Sequence, residues 1–316
     1  MINKKILILE GGYNEEHKVS LNSSIEIQKS LDKLKITYKV LKVNYKSFKN
    51  KIKKYKNYIA FNALHGTFGE DGQIQSILKK NNIKFTHSGI ISSRNCFDKY
   101  RSKQIIIKNE VLTPKYTLLK NKDLNIKNIL KFKKIYKMFV IKPANSGSSF
   151  GIKIIKNRTD LNNFISTIVE FKRKLKFHEN ILIEQFISGK ELTVSTLKFT
   201  KKIEALGVTE IKSKNNFFDY QAKYSKGFSK HILPAKISKN NYRQCLNLAT
   251  KCHKILKCKS IARTDFILDT KRNKIYFLET NTQPGLTSLS LFPEQAKYNK
   301  ISFENIVLGI LKKINY

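Results

Sequence analysis

The opening of the chain alternates short apolar runs with amphipathic stretches, and this alternation restricts the fold more than any other feature. Lys5 to Leu9 is apolar and ends at Gly11-Gly12, a helix-like stretch runs from near Ser20 to Leu34, and Thr37 to Val43 is strand-like. Tyr58 to Leu64 reads as another strand, Gln73 to Lys80 as a helix and Ile83 to Thr86 as a short strand. Strands separated by helices predict an α/β class with an open parallel sheet, its functional loops at the carboxyl ends of the strands.

Further on the pattern changes. A helix is expected from Ser92 through Lys108, and after Thr113-Pro114 come longer strands at Phe139 to Pro143, Ile152 to Ile155 and Ile181 to Gln185. Helix-like segments at Asp160 to Lys174 and Asn241 to Leu256 punctuate the rest. Residues 212–236 are polar and aromatic-studded, and a loop of that length is usually functional or disordered. A chain of 316 residues accommodates two or three domains. The divisions expected are 1–95, 96–186 and 187–316.

A net charge of +39, from 62 Lys+Arg against 23 Asp+Glu, raises nucleic-acid binding as a first hypothesis. The lysines, however, are spread through nearly every segment and gather into no single arm or helix. Abundant Ile and Asn, scarce Arg and absent Trp fit a compositional drift of exposed positions, so no nucleic-acid partner is expected. Cys96, Cys245, Cys252 and Cys258 form no Cys-x-x-Cys pair and have no histidines at zinc spacing, which predicts reduced, mostly buried thiols. The apolar run Ile6 to Leu9 is too short for a signal-peptide core or a membrane span. A cytoplasmic protein without a membrane partner is the expectation.

Three elements carry chemistry. In the strand Arg263-Thr264-Asp265, alternation puts Arg263 and Asp265 on one face, and after a turn at Asp269 to Asn273 the returning strand does the same for Glu279 and Asn281. Three oxygen donors without His or Cys suit Mg²⁺. Taken alone, a salt-bridged polar hairpin accounts for this spacing equally well. Thr282-Gln283-Pro284-Gly285 then forms a tight turn that sets a backbone N–H beside the cluster, where it can serve an oxyanion. The second element, Lys142 to Gly151, is a Gly/Ser-rich turn with a lysine at its entrance, whose small residues Ser148 and Ser149 let backbone N–H groups approach phosphate. It matches neither a Walker loop nor a Rossmann fingerprint. The third is an apolar strand, Ile181 to Phe186, leading to Ser188 to Leu192, where Glu184 and Glu191 can hold a base and a ribose.

In this order along the chain the three elements resemble the ATP-grasp superfamily, in which a nucleotide lies between two antiparallel sheets. Within it, the chain from roughly residue 4 to 312 is similar to the D-alanine–D-alanine ligase family. The further signatures are Gly11-Gly12 with Glu15 to Ser20, Ala63 to Gly66 with Gly69 to Gly72, Asp98-Lys99 with Arg101 to Lys103, Tyr220 to Tyr224, and Gly285 to Ser288 with Ser290-Leu291.

The resemblance implies an N-terminal parallel α/β domain followed by two lobes that sandwich ATP, and a homodimeric assembly. It implies that Lys99 and Lys142 contact ATP phosphates, with Ser149 beside them, and that Glu184, Phe186 and Glu191 line the adenosine pocket. Asp265, Glu279 and Asn281 would bind two Mg²⁺ ions, with Mn²⁺ as a substitute. Glu16 would hold the ammonium of the first D-alanine near His65, while Arg263 and the Gly285 N–H serve the tetrahedral oxyanion. Lys223, Ser290 and Leu291 would receive the second carboxylate, and Glu16, Ser148 and Tyr224 would form the set over which the long loop closes. Lys223-Tyr224 looks like the D-alanine-preferring form; a different acceptor, D-serine or D-lactate, is the alternative within the superfamily. The chain departs from the family pattern at Glu10, at Phe186 where Trp is common, at Ser260 to Ala262 and at Leu289. None of these removes a charged catalytic group.

Overall fold

The computed structural model describes residues 5–147, 150–175, 179–213 and 229–315. Strand β1 (Lys5–Gly11), helix α1 (His17–Lys33), β2 (Tyr38–Val43), α2 (Tyr45–Lys51), β3 (Tyr58–Asn62), α3 (Gln73–Lys80) and β4 (Lys84–Phe85) build a parallel sheet of order β2-β1-β3-β4. Ile6 to Leu9 are fully buried, because helices or loops cover both faces of a parallel sheet. That is why the strand reads as a continuous apolar run.

The helix expected over 92–108 is two helices, α4 (Ile90–Phe97) and α5 (Lys99–Ile107). Asp98 leaves helical geometry (φ −87°, ψ 103°) and caps the second, its carboxylate accepting from the N–H groups of Tyr100 and Arg101. The break sets Lys99 at the first turn of α5.

Next come β5 (Tyr116–Lys120), α6 (Ile126–Tyr136), β6 (Phe139–Pro143), β7 (Lys153–Ile155), α7 (Arg158–Lys174) and β8 (Asn180–Gln185), forming an antiparallel sheet of order β5-β8-β6-β7. Phe132, Phe164, Phe171 and Ile183 fill the core between that sheet and its helices. The last third contributes β9 (Lys190–Leu197), β10 (Glu204–Ser213), β11 (Ser229–Ile232), α8 (Lys239–Ile255), β12 (Ile261–Asp269), β13 (Lys274–Asn281), α9 (Leu291–Tyr298) and α10 (Phe303–Leu311). Its antiparallel sheet runs β11-β10-β9-β12-β13. The ends of the loop expected over 212–236 are therefore strand, in β10 and β11, and residues 214–228 lie outside the described residues.

The two antiparallel sheets face each other across a cleft, and the chain's end returns to its beginning. One core joins Ile6 and Ile27 to Ile261, Ile306 and Ile310, and Phe85 pairs with Asn315. All four cysteines are buried and unbridged. No helix among the described residues is long and apolar enough to cross a membrane.

Candidate active site

The hairpin β12–β13 brings its four polar residues together: Arg263 lies opposite Asn281 and Asp265 opposite Glu279. A bulge immediately after Asp265 shifts the register, and pairing resumes with Phe266 opposite Phe277. Arg263 forms a two-pronged pair with Asp265, its Nε donating to Oδ1 at 3.0 Å and its Nη2 to Oδ2 at 2.8 Å. Thr193 on β9 donates to the same Oδ1 at 2.6 Å. Across the strand Glu279 pairs with Lys99 at 3.2 Å, and Asn281 Oδ1 accepts from the Gln283 N–H at 2.7 Å.

Lys99 reaches this cluster because the Asp98 cap turns α5 toward it, and its ammonium also donates to the Ser146 carbonyl at 2.5 Å. On the floor of the cleft Glu184, only 2% exposed, sits between two lysines: Lys103 at 2.8 Å on one oxygen and Lys142 at 2.7 Å on the other. Burial alone raises a carboxyl's pKa, yet these two ammonium groups outweigh it and hold Glu184 below the usual carboxylate range. Burial pulls Lys103 down to about 8 against the opposing attraction of Glu184.

Two adjoining cavities meet at this cluster. The larger, about 320 Å³, lies between the sheets and is lined by Lys99, Lys142, Glu184, Phe186, Glu191, Asp265 and Glu279. Lys156 also lines it, its ammonium 4.8 Å above the Phe186 ring. The smaller, about 60 Å³, is lined by Glu16, His65, Arg263, Asn281 and Gly285 and shares Lys99, Ser146, Gly147 and Glu279 with the first.

The smaller cavity is walled by loops of the parallel sheet. Asn14 ties the loop after β1 to the one after β3, donating to the carbonyls of His65 and Thr67. His65 is fixed from both nitrogens, by Ser23 at 3.0 Å and Glu70 at 3.1 Å. Gln283 bridges from the hairpin side, accepting from Asn62 at 2.9 Å and donating to the Leu64 carbonyl. Glu16, 8% exposed, has glycines on two sides: a Cβ on Gly66 or on Gly147 would strike its carboxylate.

Most expected site residues thus converge on the two cavities. Ser290 and Leu291 line neither; they begin α9, where Ser290 packs against Gly285 and bonds Thr287 at 2.8 Å. Ser148, Ser149, Lys223 and Tyr224 lie outside the described residues. Sequence reasoning gave no role to Lys103, Lys156, Thr193 or Gln283. Lys103 stands in the Arg101 to Lys103 signature and Gln283 in the Thr282 to Gly285 turn, whereas nothing local marks the other two.

A nucleotide-sized cleft between two antiparallel sheets, lined by lysines and hard oxygen donors, defines an ATP-grasp protein. A family model described as D-ala D-ala ligase C-terminus matches residues 105–312. A D-alanine–D-alanine ligase of Pelagibacter ubique is 42% identical over 98% of both chains, and one of Rickettsia typhi is 38% identical over 99% of this chain and 92% of its own. Among solved structures, the D-alanine–D-alanine ligase of Bacillus anthracis complexed with ATP superposes with a TM-score of 0.79 at 27% identity, covering 98% of this chain and 96% of that one. The D-Ala:D-Ser ligase VanG of Enterococcus faecalis gives 0.78 at 26%, covering 98% of each chain. The chain belongs to the D-alanine–D-alanine ligase family.

Proposed function

We propose that this protein uses ATP to join two D-alanines into D-alanyl-D-alanine for peptidoglycan precursor synthesis. The observation that carries the reading is the position of the Arg263-Asp265-Glu279-Asn281 cluster at the junction of a nucleotide-sized cleft and a cavity closed by Glu16.

ATP fits the larger cleft with its base toward Phe186 and Glu191 and its phosphates toward Lys99 and Lys142. Glu16 holds the ammonium of the first D-alanine in the smaller cavity. Its carboxylate oxygen attacks the γ-phosphorus, the bond to the leaving ADP oxygen breaks, and an acyl phosphate results. The amine of the second D-alanine then attacks the acyl carbon, and inorganic phosphate departs as the peptide bond forms. Arg263 and the Gly285 N–H stabilise the negative oxygen of that second step, and one such preorganised donor is typically worth about 3 kcal/mol. By the family resemblance, Ser290 and Leu291, at the start of α9, would receive the second carboxylate.

Asp265, Glu279 and Asn281 fit two Mg²⁺ ions, or Mn²⁺, because all three present hard oxygen donors and the two carboxylates are cross-strand partners. A bound divalent ion there neutralises charge that develops on the phosphoryl oxygens. From the family resemblance we also propose a division at residues 95 and 186, a cytoplasmic setting and a homodimer.

The test is a dipeptide assay with purified protein. Phosphate release requiring both Mg²⁺ and D-alanine, with D-alanyl-D-alanine as product, is expected, and no dipeptide with both substrates present refutes the reading. The resemblance to VanG makes D-serine the acceptor to compete against D-alanine in the same assay.

A further inference from the structure

Lys103 is fully buried, a costly place for an ammonium group unless its charge is matched. It follows Lys99 by four residues on α5, so both extend from one helix face. Lys99 reaches the cleft, whereas Lys103 stops behind Glu184. There its Nζ meets Glu184 Oε1 at 2.8 Å and donates to Thr113 Oγ1 at 2.5 Å. Thr113 in turn donates to the Phe277 carbonyl on β13 at 2.9 Å. The ammonium also lies 5.9 Å from the centre of the Tyr116 ring and 6.0 Å from that of Phe277. A single buried cation therefore touches β5, β8 and β13, which belong to both sheets of the cleft.

Glu184 is shared by two cations of different standing. Lys142, on its other oxygen, lines the cleft; Lys103 has no surface there. If Lys142 were the sole partner of Glu184, turning it toward a phosphate would leave a buried carboxylate without a counter-charge. Lys103 removes that obstacle, since Glu184 remains paired whichever way Lys142 points. With two ammonium groups around one carboxylate the cluster also carries one surplus positive charge, oriented toward the cavity.

We infer that Lys103 is a positioning residue for phosphate binding: it is the permanent counter-ion of Glu184 and thereby releases Lys142 to the nucleotide. The inference rests on the ATP reading of the cleft. Its effect reaches the ligand through Lys142, the lysine that shares Glu184, so it should fall on the phosphates of the ligand more than on the nucleoside.

Calorimetric titration of wild type and Lys103→Met with ATP, ADP and adenosine tests this directly. Loss of Lys103 should weaken ATP and ADP by about tenfold or more, the worth of one charge-assisted hydrogen bond, while adenosine stays within about twofold. Equal weakening of all three ligands, or no change in any, overturns the inference. Should Lys103→Met not fold, the comparison moves to Glu184→Gln against the double variant Lys103→Met/Glu184→Gln. With Glu184 neutral, removing Lys103 should alter ATP affinity by less than about threefold, and a larger change sinks the proposed route. A wild type that binds no ATP would refute the functional reading itself; one that binds it as tightly as Lys103→Met does would refute this inference alone.

Discussion

Replacing Gly147 by alanine should damage substrate binding while leaving the fold nearly intact. A Cβ at this position would sit 2.5 Å from Glu16 Oε2, against about 3.4 Å for ordinary contact, so the carboxylate must retreat by roughly 0.9 Å (3.4 minus 2.5). The atom that yields is the far end of a side chain, which keeps the stability cost small. A hydrogen bond of about 2.8 Å to a substrate ammonium would stretch toward 3.7 Å and be lost. Charge-assisted bonds of that kind are worth about 1.5–3 kcal/mol, and misplacement by about 1 Å at a reacting centre has similar consequences. The expected fall in kcat/KM for D-alanine is therefore about tenfold to hundredfold. KM for ATP should move little. The assay is phosphate release against D-alanine at saturating ATP, with thermal melting as the control for folding. Glu16→Asp withdraws the carboxylate by one carbon–carbon bond, about 1.5 Å, and so makes room for the new methyl. The double variant should thus be less impaired than the product of the two single effects. A Gly147→Ala enzyme within twofold of wild type, or a strictly multiplicative double variant, would falsify the assignment of the Glu16 carboxylate to substrate.

Asp265→Asn should lower ADP formation by about a hundredfold or more, since its carboxylate faces developing charge; activity within fivefold of wild type would remove it from the site. Lys156→Met should raise KM for ATP about two- to fivefold through loss of the contact with the Phe186 ring, leaving KM for D-alanine unchanged, and an effect on D-alanine instead would contradict this placement. Gly189→Ala should destabilise the fold by about 1–3 kcal/mol, because its Cβ would collide with the Leu268 carbonyl and neither backbone can yield; an unchanged urea midpoint would count against that packing. Burial lowers His87 to about 3 and His253 to about 4, the latter with Lys198 adding to the effect, against 6.5 for a free histidine. Their stabilisation is complete above pH 6.5. It declines as the pH falls from there toward 4, because the unfolded chain takes up protons that the native one refuses, by about 1.4 kcal/mol per pH unit for each histidine. Urea midpoints between pH 6.5 and 5, where carboxylates stay ionised, should show this slope, and His253→Gln should roughly halve it.

What was legible in the sequence was what spacing alone determines. Gln73–Lys80 and Phe139–Pro143 have the bounds expected, and strand alternation gives the shared faces of the hairpin, whereas its register depends on a bulge that no spacing announces. Strand β9 was harder to read, because Thr193, Ser195 and Thr196 look like surface positions yet are fully buried. Two of their hydroxyls are satisfied by distant partners, Thr193 by Asp265 and Thr196 by His253. The same limit applies to the site. Gly147 reads as a turn glycine and Gly66 as part of a signature, and only the folded chain shows that both make way for Glu16. Lys103 looks like one more surface lysine among 62 basic residues until α5 packs it against Glu184.

The site also reconciles the hairpin's two readings. Arg263 does pair with Asp265, as a plain salt-bridged hairpin requires, but the same arrangement recurs at both lysines assigned to the ATP phosphates. Lys99 is held by Glu279 and Lys142 by Glu184. On the proposed roles, ATP and its metal do not enter a field of bare charges; they exchange partners with one already neutralised. A divalent ion held by Asp265 and Glu279 would release Arg263 and Lys99 from these pairs, and the phosphates would draw Lys99 and Lys142. Such an exchange keeps the number of opposite-charge contacts nearly constant, so much of the desolvation of these groups has been met during folding. Phosphates arriving without the ion would find Asp265 and Glu279 beside them as like charges. Nucleotide and metal should therefore favour each other's binding by the same factor, as reciprocal linkage demands. The ion pairs that make the hairpin look ordinary are thus what make that coupling strong.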